Sequence, residues 1–83
     1  VIDIRSQKEF DEGKISQARH VGPDLDVCKN EIAKAGDKPV ILVCQNGTNS
    51  SRMASDLKKE DISVFVLKGG INNWISEKLP LVN

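Results

Sequence analysis

Neither sign of charge is in surplus, and aromatic side chains are scarce. Twelve Lys and Arg balance twelve Asp and Glu, Tyr is absent, and the only aromatics are Phe10, Phe65 and Trp74. Phosphate backbones are bound by surplus cations, and single strands by stacking platforms, so this composition excludes nucleic acid as the main partner. No apolar run approaches the roughly 20 residues of a membrane helix. No signal-peptide pattern is present. The two cysteines, Cys28 and Cys44, are too few for a disulfide scaffold and lack CxxC or zinc-ligand spacing, so no metal site is indicated. An opening Met or polar leader is missing too. The chain begins Val1-Ile2-Asp3-Ile4, inside an apolar run, and is expected to be an N-terminally truncated piece of a longer protein. What remains is 83 residues without repeats or low-complexity tracts, read as a single domain over residues 1–83. A domain of this size buries only about two-thirds of the surface its unfolded chain exposes.

The pattern of elements is regular. Val1 to Ile4 is β-branched and reads as a strand. Ser6 and Glu9 have capping-box spacing, which predicts a short helix ending near Gly13. A very short strand is expected around His20-Val21, before the Gly22-Pro23 break. Asp24 is a helix cap, and Leu25, Cys28, Ile32 and Ala35 form one apolar stripe behind it, with Gly36 as the stop. Val40 to Val43 is uninterruptedly apolar, which predicts a strand buried on both faces. Ser50 is expected to open a helix to about Lys59, with Met53, Ala54 and Leu57 inward. Ser63 to Leu67 reads as a further strand. Gly69-Gly70 turns the chain into a last helix with Ile71, Trp74 and Ile75 inward. Alternation of this kind predicts an α/β fold: an open, mostly parallel central sheet with helices on both faces.

Ligands of open α/β sheets sit beyond the carboxyl ends of the strands. Cys44 lies there, directly after the most apolar strand, and begins a short loop into a helix. Free N–H groups at a helix start favour an anion, whether a thiolate or a bound oxyanion. Gly47 lets the loop curl so that successive N–H groups face one point. Cys44, Gln45, Asn46, Gly47, Thr48, Asn49 and Ser50 therefore read as a cradle around a sulfur atom, with Cys44 as nucleophile and the other six as substrate-binding residues. The plainer reading is that Cys44 is a small buried hydrophobe. Loop and helix start bring the two readings to parity. Cys28, on an apolar helical stripe, is assigned to the core. Asp3 and Arg5 share one face of the first strand and are assigned a structural pairing. A lone His20 is read as structural, and Lys14 is given no catalytic role.

Four ordered stretches resemble single-domain rhodaneses, a sulfurtransferase family. Val1-Ile2-Asp3-Ile4-Arg5, Glu9-Phe10, Gly13-Lys14-Ile15 and Ala18 resemble the opening signature "DVR…EF…GHI.GA". Lys38 to Cys44 resembles the strand that leads to the nucleophile. Cys44, Gly47 and Ser50 fit the loop "CRxGxRS". Leu67-Lys68-Gly69-Gly70, Trp74 and Leu79-Pro80 resemble "L.GG…W…LP". The resemblance implies a rhodanese-like sheet lacking the family's N-terminal first strand. It also implies a mechanism in which a Cys44 thiolate takes a sulfur atom from a small donor, thiosulfate or a persulfide. A thiol or cyanide acceptor then removes it from the resulting cysteine persulfide, and no cofactor takes part.

The loop departs from that pattern where the family carries arginines, at Gln45 and Asn49. Guanidinium forks suit oxyanions, so their absence weighs against thiosulfate as the donor. Arg52, two residues past Ser50, is the nearest substitute. Two functions follow. One is a sulfurtransferase working through Cys44. The alternative is a catalytically weak or inactive binding or regulatory module of a longer, membrane-anchored protein, engaging a protein partner. A Cys-based phosphatase would need Arg at position 50, which is Ser50. Free thiols point to the cytoplasm, with any anchor upstream of Val1, and the domain is read as a monomer.

Overall fold

In the computed structural model, which describes residues 1–83, four strands and four helices alternate. They are β1 (Ile2–Asp3), α1 (Gln7–Glu12), β2 (Arg19–His20), α2 (Leu25–Ala35), β3 (Ile41–Val43), α3 (Thr48–Lys58), β4 (Phe65–Val66) and α4 (Gly70–Ser76). The sheet order is β2-β1-β3-β4 and every ladder is parallel. Ile2 pairs with Arg19 on one side and Leu42 on the other, and Ile41 pairs with Phe65. The first strand is thus flanked on both sides, and the unpaired edges belong to β2 and β4.

Local chemistry fixes the helix starts. The Ser6 hydroxyl accepts from the Glu9 N–H at 3.2 Å while the Glu9 carboxylate accepts from the Ser6 N–H at 3.3 Å, the reciprocal box the spacing predicts. A carboxylate oxygen of Asp24 accepts from the N–H groups of Asp26 and Val27 and opens α2.

Strand alternation sorts the apolar residues onto two faces. Ile2, Ile4, Val40, Leu42 and Cys44 join Cys28 of α2 and Met53 and Leu57 of α3 in the larger core cluster. Val43 points the other way and packs with Ile15 and with Ile71 of α4, beneath Trp74 and Leu81. Helices therefore cover both faces, and the α2 stripe of Leu25, Cys28, Ile32 and Ala35 faces the core as predicted.

Three details differ from the sequence pattern. β3 is not buried on both faces throughout: Ile41 is 37% exposed, beside its 65% exposed register partner Phe65, because the helix on that side covers only the Val43 level. Ile75 is 52% exposed rather than inward, since seven residues of α4 direct only Ile71 and Trp74 toward the sheet. The third helix starts at Thr48, two residues before Ser50, which places Thr48, Asn49 and Ser50 in its first turn.

Candidate functional site

The parallel arrangement gathers three strand ends. β1 runs into Arg5, β3 into Cys44 and β4 into Leu67, and the adjacent β1 and β3 set Arg5 beside the loop that begins at Cys44. The Arg5 side chain is buried, and the Asp3 carboxylate takes its Nε at 3.0 and 3.1 Å and its Nη2 at 2.9 Å. Its Nη2 also donates to the carbonyl of Gly13 at 2.6 Å, and its Nη1 to Oε1 of Gln45 at 3.2 Å. Two residues on one strand face thus form the structural pair that the spacing indicates. His20 completes the surround by donating from Nε2 to the Arg5 carbonyl at 2.8 Å, its ring packed against that of Phe10 at a 32° tilt. Lys14 lies over that Phe10 ring, 4.9 Å from the centroid.

Cys44 sits at the centre of the loop with 3% of its surface exposed. Its Sγ accepts from the Gly47 N–H at 3.0 Å and the Ser50 N–H at 3.3 Å, and the Ser50 hydroxyl lies 3.3 Å away. Burial pushes the thiol pKa up. The Ser50 hydroxyl, then the main-chain N–H groups of Ser50, Gly47 and Asn46, pull it down, and they prevail: the thiol is held below its ordinary value of 9.0. Cys28 is the contrast. It is fully buried among apolar neighbours, which raise its pKa, and both cysteines are free thiols.

The loop reaches this shape through Gly47 and Asn46. Gly47 adopts φ 92° and ψ −14°, and a Cβ there would stand 3.1 Å from the Gly69 nitrogen. Oδ1 of Asn46 accepts from the Thr48 N–H at 3.0 Å, an Asx turn that folds the chain into the helix. The Ser50 hydroxyl, fully buried, donates to the Gly47 carbonyl at 3.2 Å when it is not engaged with the thiol.

The structure distributes the seven loop residues into separate tasks. Gly47 and Ser50 touch the sulfur, and Asn46 supplies an N–H and shapes the turn. Gln45 is engaged within the fold: beyond Arg5, its Nε2 donates to Oδ1 of Asn72 at 2.7 Å. Thr48 and Asn49 stand exposed on the first turn of α3. Arg52 lines a cleft with Asn49 on the flank of that helix and joins none of the protein's ion pairs.

Pattern reading alone did not single out α4 as part of the site. The main-chain N–H groups of Ile71 and Asn72 donate to the carbonyls of Cys44 and Gln45, each at 2.9 Å. Gly70, at φ 61°, lies against that same stretch of loop backbone. The paired glycines were the available signal, since a residue without a Cβ marks a close backbone approach as readily as a turn. No group of three or more His, Cys, Asp or Glu side chains is arranged to hold a metal ion. No helix is long and apolar enough to cross a membrane.

Comparison with known proteins places these features in a wider set. A family model described as "Rhodanese-like domain" matches residues 1–77. A Bacillus subtilis protein named YqhL, itself uncharacterized, is 42% identical over 76 residues, which cover 89% of this chain and 59% of that protein. The chain is 35% identical over 75 residues to a protein named thiosulfate sulfurtransferase GlpE from Pseudomonas fluorescens, covering 89% of this chain and 68% of the relative. The crystal structure of a rhodanese-related protein from Thermoplasma volcanium superposes with a TM-score of 0.80 at 23% identity, over 98% of this chain and 80% of that one.

Proposed function

Because this chain belongs to the rhodanese-like family, we propose that it is a sulfurtransferase that carries a sulfane sulfur as a persulfide on Cys44. The observation that carries this reading is the convergence of two main-chain N–H groups and one hydroxyl on a thiol held below its ordinary pKa. In the first half-reaction the Cys44 thiolate attacks the outer sulfur of a donor R–S–SH. The donor S–S bond breaks, RS⁻ leaves, and Cys44–S–SH remains. In the second, an acceptor thiolate attacks that outer sulfur and Cys44 departs as a thiolate. No electrons are lost overall and no cofactor is required. The N–H groups of Gly47 and Ser50 stabilise negative charge whether it sits on the thiolate or on the persulfide.

The donor that suits this loop is a persulfide carried on a thiol rather than dianionic thiosulfate. Neither of the two loop positions where the family carries arginine supplies a cation: Gln45 is bound to Arg5 and Asn72, and Asn49 is neutral. The same observation supports a second reading, a module of weak or no activity that binds a protein partner within a longer chain. In either case residues 1–83 act as one monomeric domain, in the cytoplasm, where both thiols stay reduced. The chain spans 59% of the length of YqhL.

Mass spectrometry after incubation with inorganic polysulfide or thiosulfate separates the two. The sulfurtransferase reading expects Cys44 to gain the mass of one sulfur atom from polysulfide, more slowly from thiosulfate, and Cys44→Ser to gain none. An unmodified Cys44 with every donor leaves the binding-module reading standing alone.

A further inference from the structure

Gln45 directly follows the nucleophile, and its place in the polar loop reads as substrate-binding. The structure gives both ends of its side chain other work. Oε1 accepts from Nη1 of Arg5 at 3.2 Å, and Nε2 donates to Oδ1 of Asn72 at 2.7 Å. Arg5 carries only donors, so the oxygen of the Gln45 amide must face it and the nitrogen must face Asn72, which in turn presents its oxygen. The sense of this chain of amides is set from its buried end, where the Asp3 carboxylate and the Gly13 carbonyl hold the guanidinium.

Gln45 and Asn72 meet a second time through the main chain. The Asn72 N–H donates to the Gln45 carbonyl at 2.9 Å, beside the bond from the Ile71 N–H to the Cys44 carbonyl. The Gln45 carbonyl and the Asn46 N–H belong to one planar trans peptide unit and point in opposite directions. Anchoring the carbonyl on α4 therefore turns the Asn46 N–H away from that helix and toward the sulfur, where it joins the N–H groups of Gly47 and Ser50. Asn46 is exposed and Gln45 only half-buried, so packing does little to hold this plane and hydrogen bonds must do it.

We propose that Gln45 and Asn72 are positioning residues for the nucleophile: their doubled pairing holds the peptide between residues 45 and 46 so that the Asn46 N–H faces Cys44, with Arg5 setting the sense of the pair. The proposal rests on the reading of Cys44 as the residue that carries sulfur, and it names the groups outside the loop that keep the loop in its working shape. Residue 45 acts through the loop backbone and not on the donor.

The test is the pH dependence of Cys44 alkylation by iodoacetamide in a Cys28→Ser background. The inflection reports ionisation of the thiol, whereas a loop that is merely loosened changes access and so the plateau. Asn72 is exposed, and its variants are expected to fold like wild type. Asn72→Ala is expected to move the inflection upward. It should also slow sulfur uptake by Cys44 from inorganic polysulfide at neutral pH by about two- to threefold, since losing one hydrogen bond lowers the thiolate fraction about fivefold and the greater nucleophilicity of a more basic thiolate offsets part of that. Asn72→Asp keeps an acceptor for Gln45 and should recover the wild-type inflection at high salt, where its charge is screened. Asn73→Ala, the next position along α4, should match wild type. An inflection and uptake rate for Asn72→Ala equal to those of wild type overturn the positioning role alone, as does equal slowing by Asn72→Ala and Asn72→Asp. Wild-type Cys44 that gains no sulfur from polysulfide overturns the parent reading and the role built on it.

Discussion

Gly70 lies against the carbonyl oxygen of Cys44 more closely than any side chain would allow. A Cβ at position 70 would also stand 2.8 Å from the carbonyl carbon and oxygen of Gln45, and the backbone there adopts φ 61°, which L-residues rarely take. Because the obstructing atoms are backbone, the loop cannot yield by rotating a side chain. Gly70→Ala is expected to lower the unfolding free energy by about 3 kcal/mol, combining left-handed strain with overpacking. Gly22→Ala is the control: it too has a positive φ, 83°, but a Cβ there faces open space, so only backbone strain and no overpacking applies, and the loss should be smaller than for Gly70→Ala. Urea unfolding of the two variants beside wild type checks the difference.

The thiol chemistry has a definite pH signature. In a Cys28→Ser background, the alkylation rate of Cys44 by iodoacetamide is expected to rise with an inflection below 9.0, and Ser50→Ala is expected to move that inflection upward, since Ser50 supplies both a hydroxyl and an N–H and only the hydroxyl is removed. Folding linkage has the matching sign. A group whose pKa is lower in the folded than in the unfolded chain contributes stability that is fully present above the unfolded value and lost as pH falls through the folded one. The stability difference between wild type and Cys44→Ala should therefore grow with pH from the lowered folded value up to 9.0. Cys28, raised by burial, behaves oppositely: its contribution is present below 9.0 and lost as pH rises through its folded value. An alkylation inflection at or above 9.0 for Cys44 would remove the main support for a thiolate nucleophile.

Much of this architecture was legible because local signals and the global fold agree. The Ser6–Glu9 box, the Asp24 cap, the α2 stripe and the Asp3–Arg5 pair each follow from spacing along a single element. The sulfur cradle was legible for the same reason, since Cys44, Gly47 and Ser50 lie within seven residues of one another. What was not legible is contact between distant segments. Gln45 reads as a free polar loop residue until Arg5, 40 positions earlier, and Asn72, 27 positions later, are brought to its two ends. Ile75 reads as inward because helical periodicity continues past the point where α4 stops touching the sheet.

The buried ion pair sets the largest expected stability effect. The Asp3 carboxylate accepts from the Arg5 Nε, Nη2 and main-chain N–H, and both side chains are nearly inaccessible. Asp3→Ala leaves the guanidinium buried with only the Gly13 carbonyl and the Gln45 amide as partners, and is expected to cost about 3–5 kcal/mol. For a domain of this size such a loss removes much of the total stability, so the variant should be substantially unfolded at 25 °C by far-UV circular dichroism. Replacing Lys29, whose pair with Glu60 is solvent-exposed, should leave stability close to that of wild type, because water screens the pair.

The two arginine-deficient loop positions should respond differently to restoration. Gln45 is half-buried and its Oε1 accepts from Nη1 of Arg5 at 3.2 Å. Gln45→Arg would remove that acceptor and set a second guanidinium against a buried one, so it is expected to destabilise the protein by about 1–3 kcal/mol and to gain little activity. Asn49 is exposed on the first turn of α3 and makes no side-chain hydrogen bond that the loop depends on. Asn49→Arg is expected to cost less than about 1 kcal/mol from its position near a helix N-terminus. It should also raise the rate of Cys44 sulfuration by thiosulfate on the order of tenfold at low ionic strength, by steering the dianion to the loop. The gain should shrink as salt is added, because the attraction is screened over a Debye length of about 8–10 Å. Stopped sulfuration reactions read by mass spectrometry at two salt concentrations decide the point. A salt-independent gain, or none, would show that thiosulfate is held off by something other than missing charge, with the depth of Cys44 beneath the loop as the remaining physical cause.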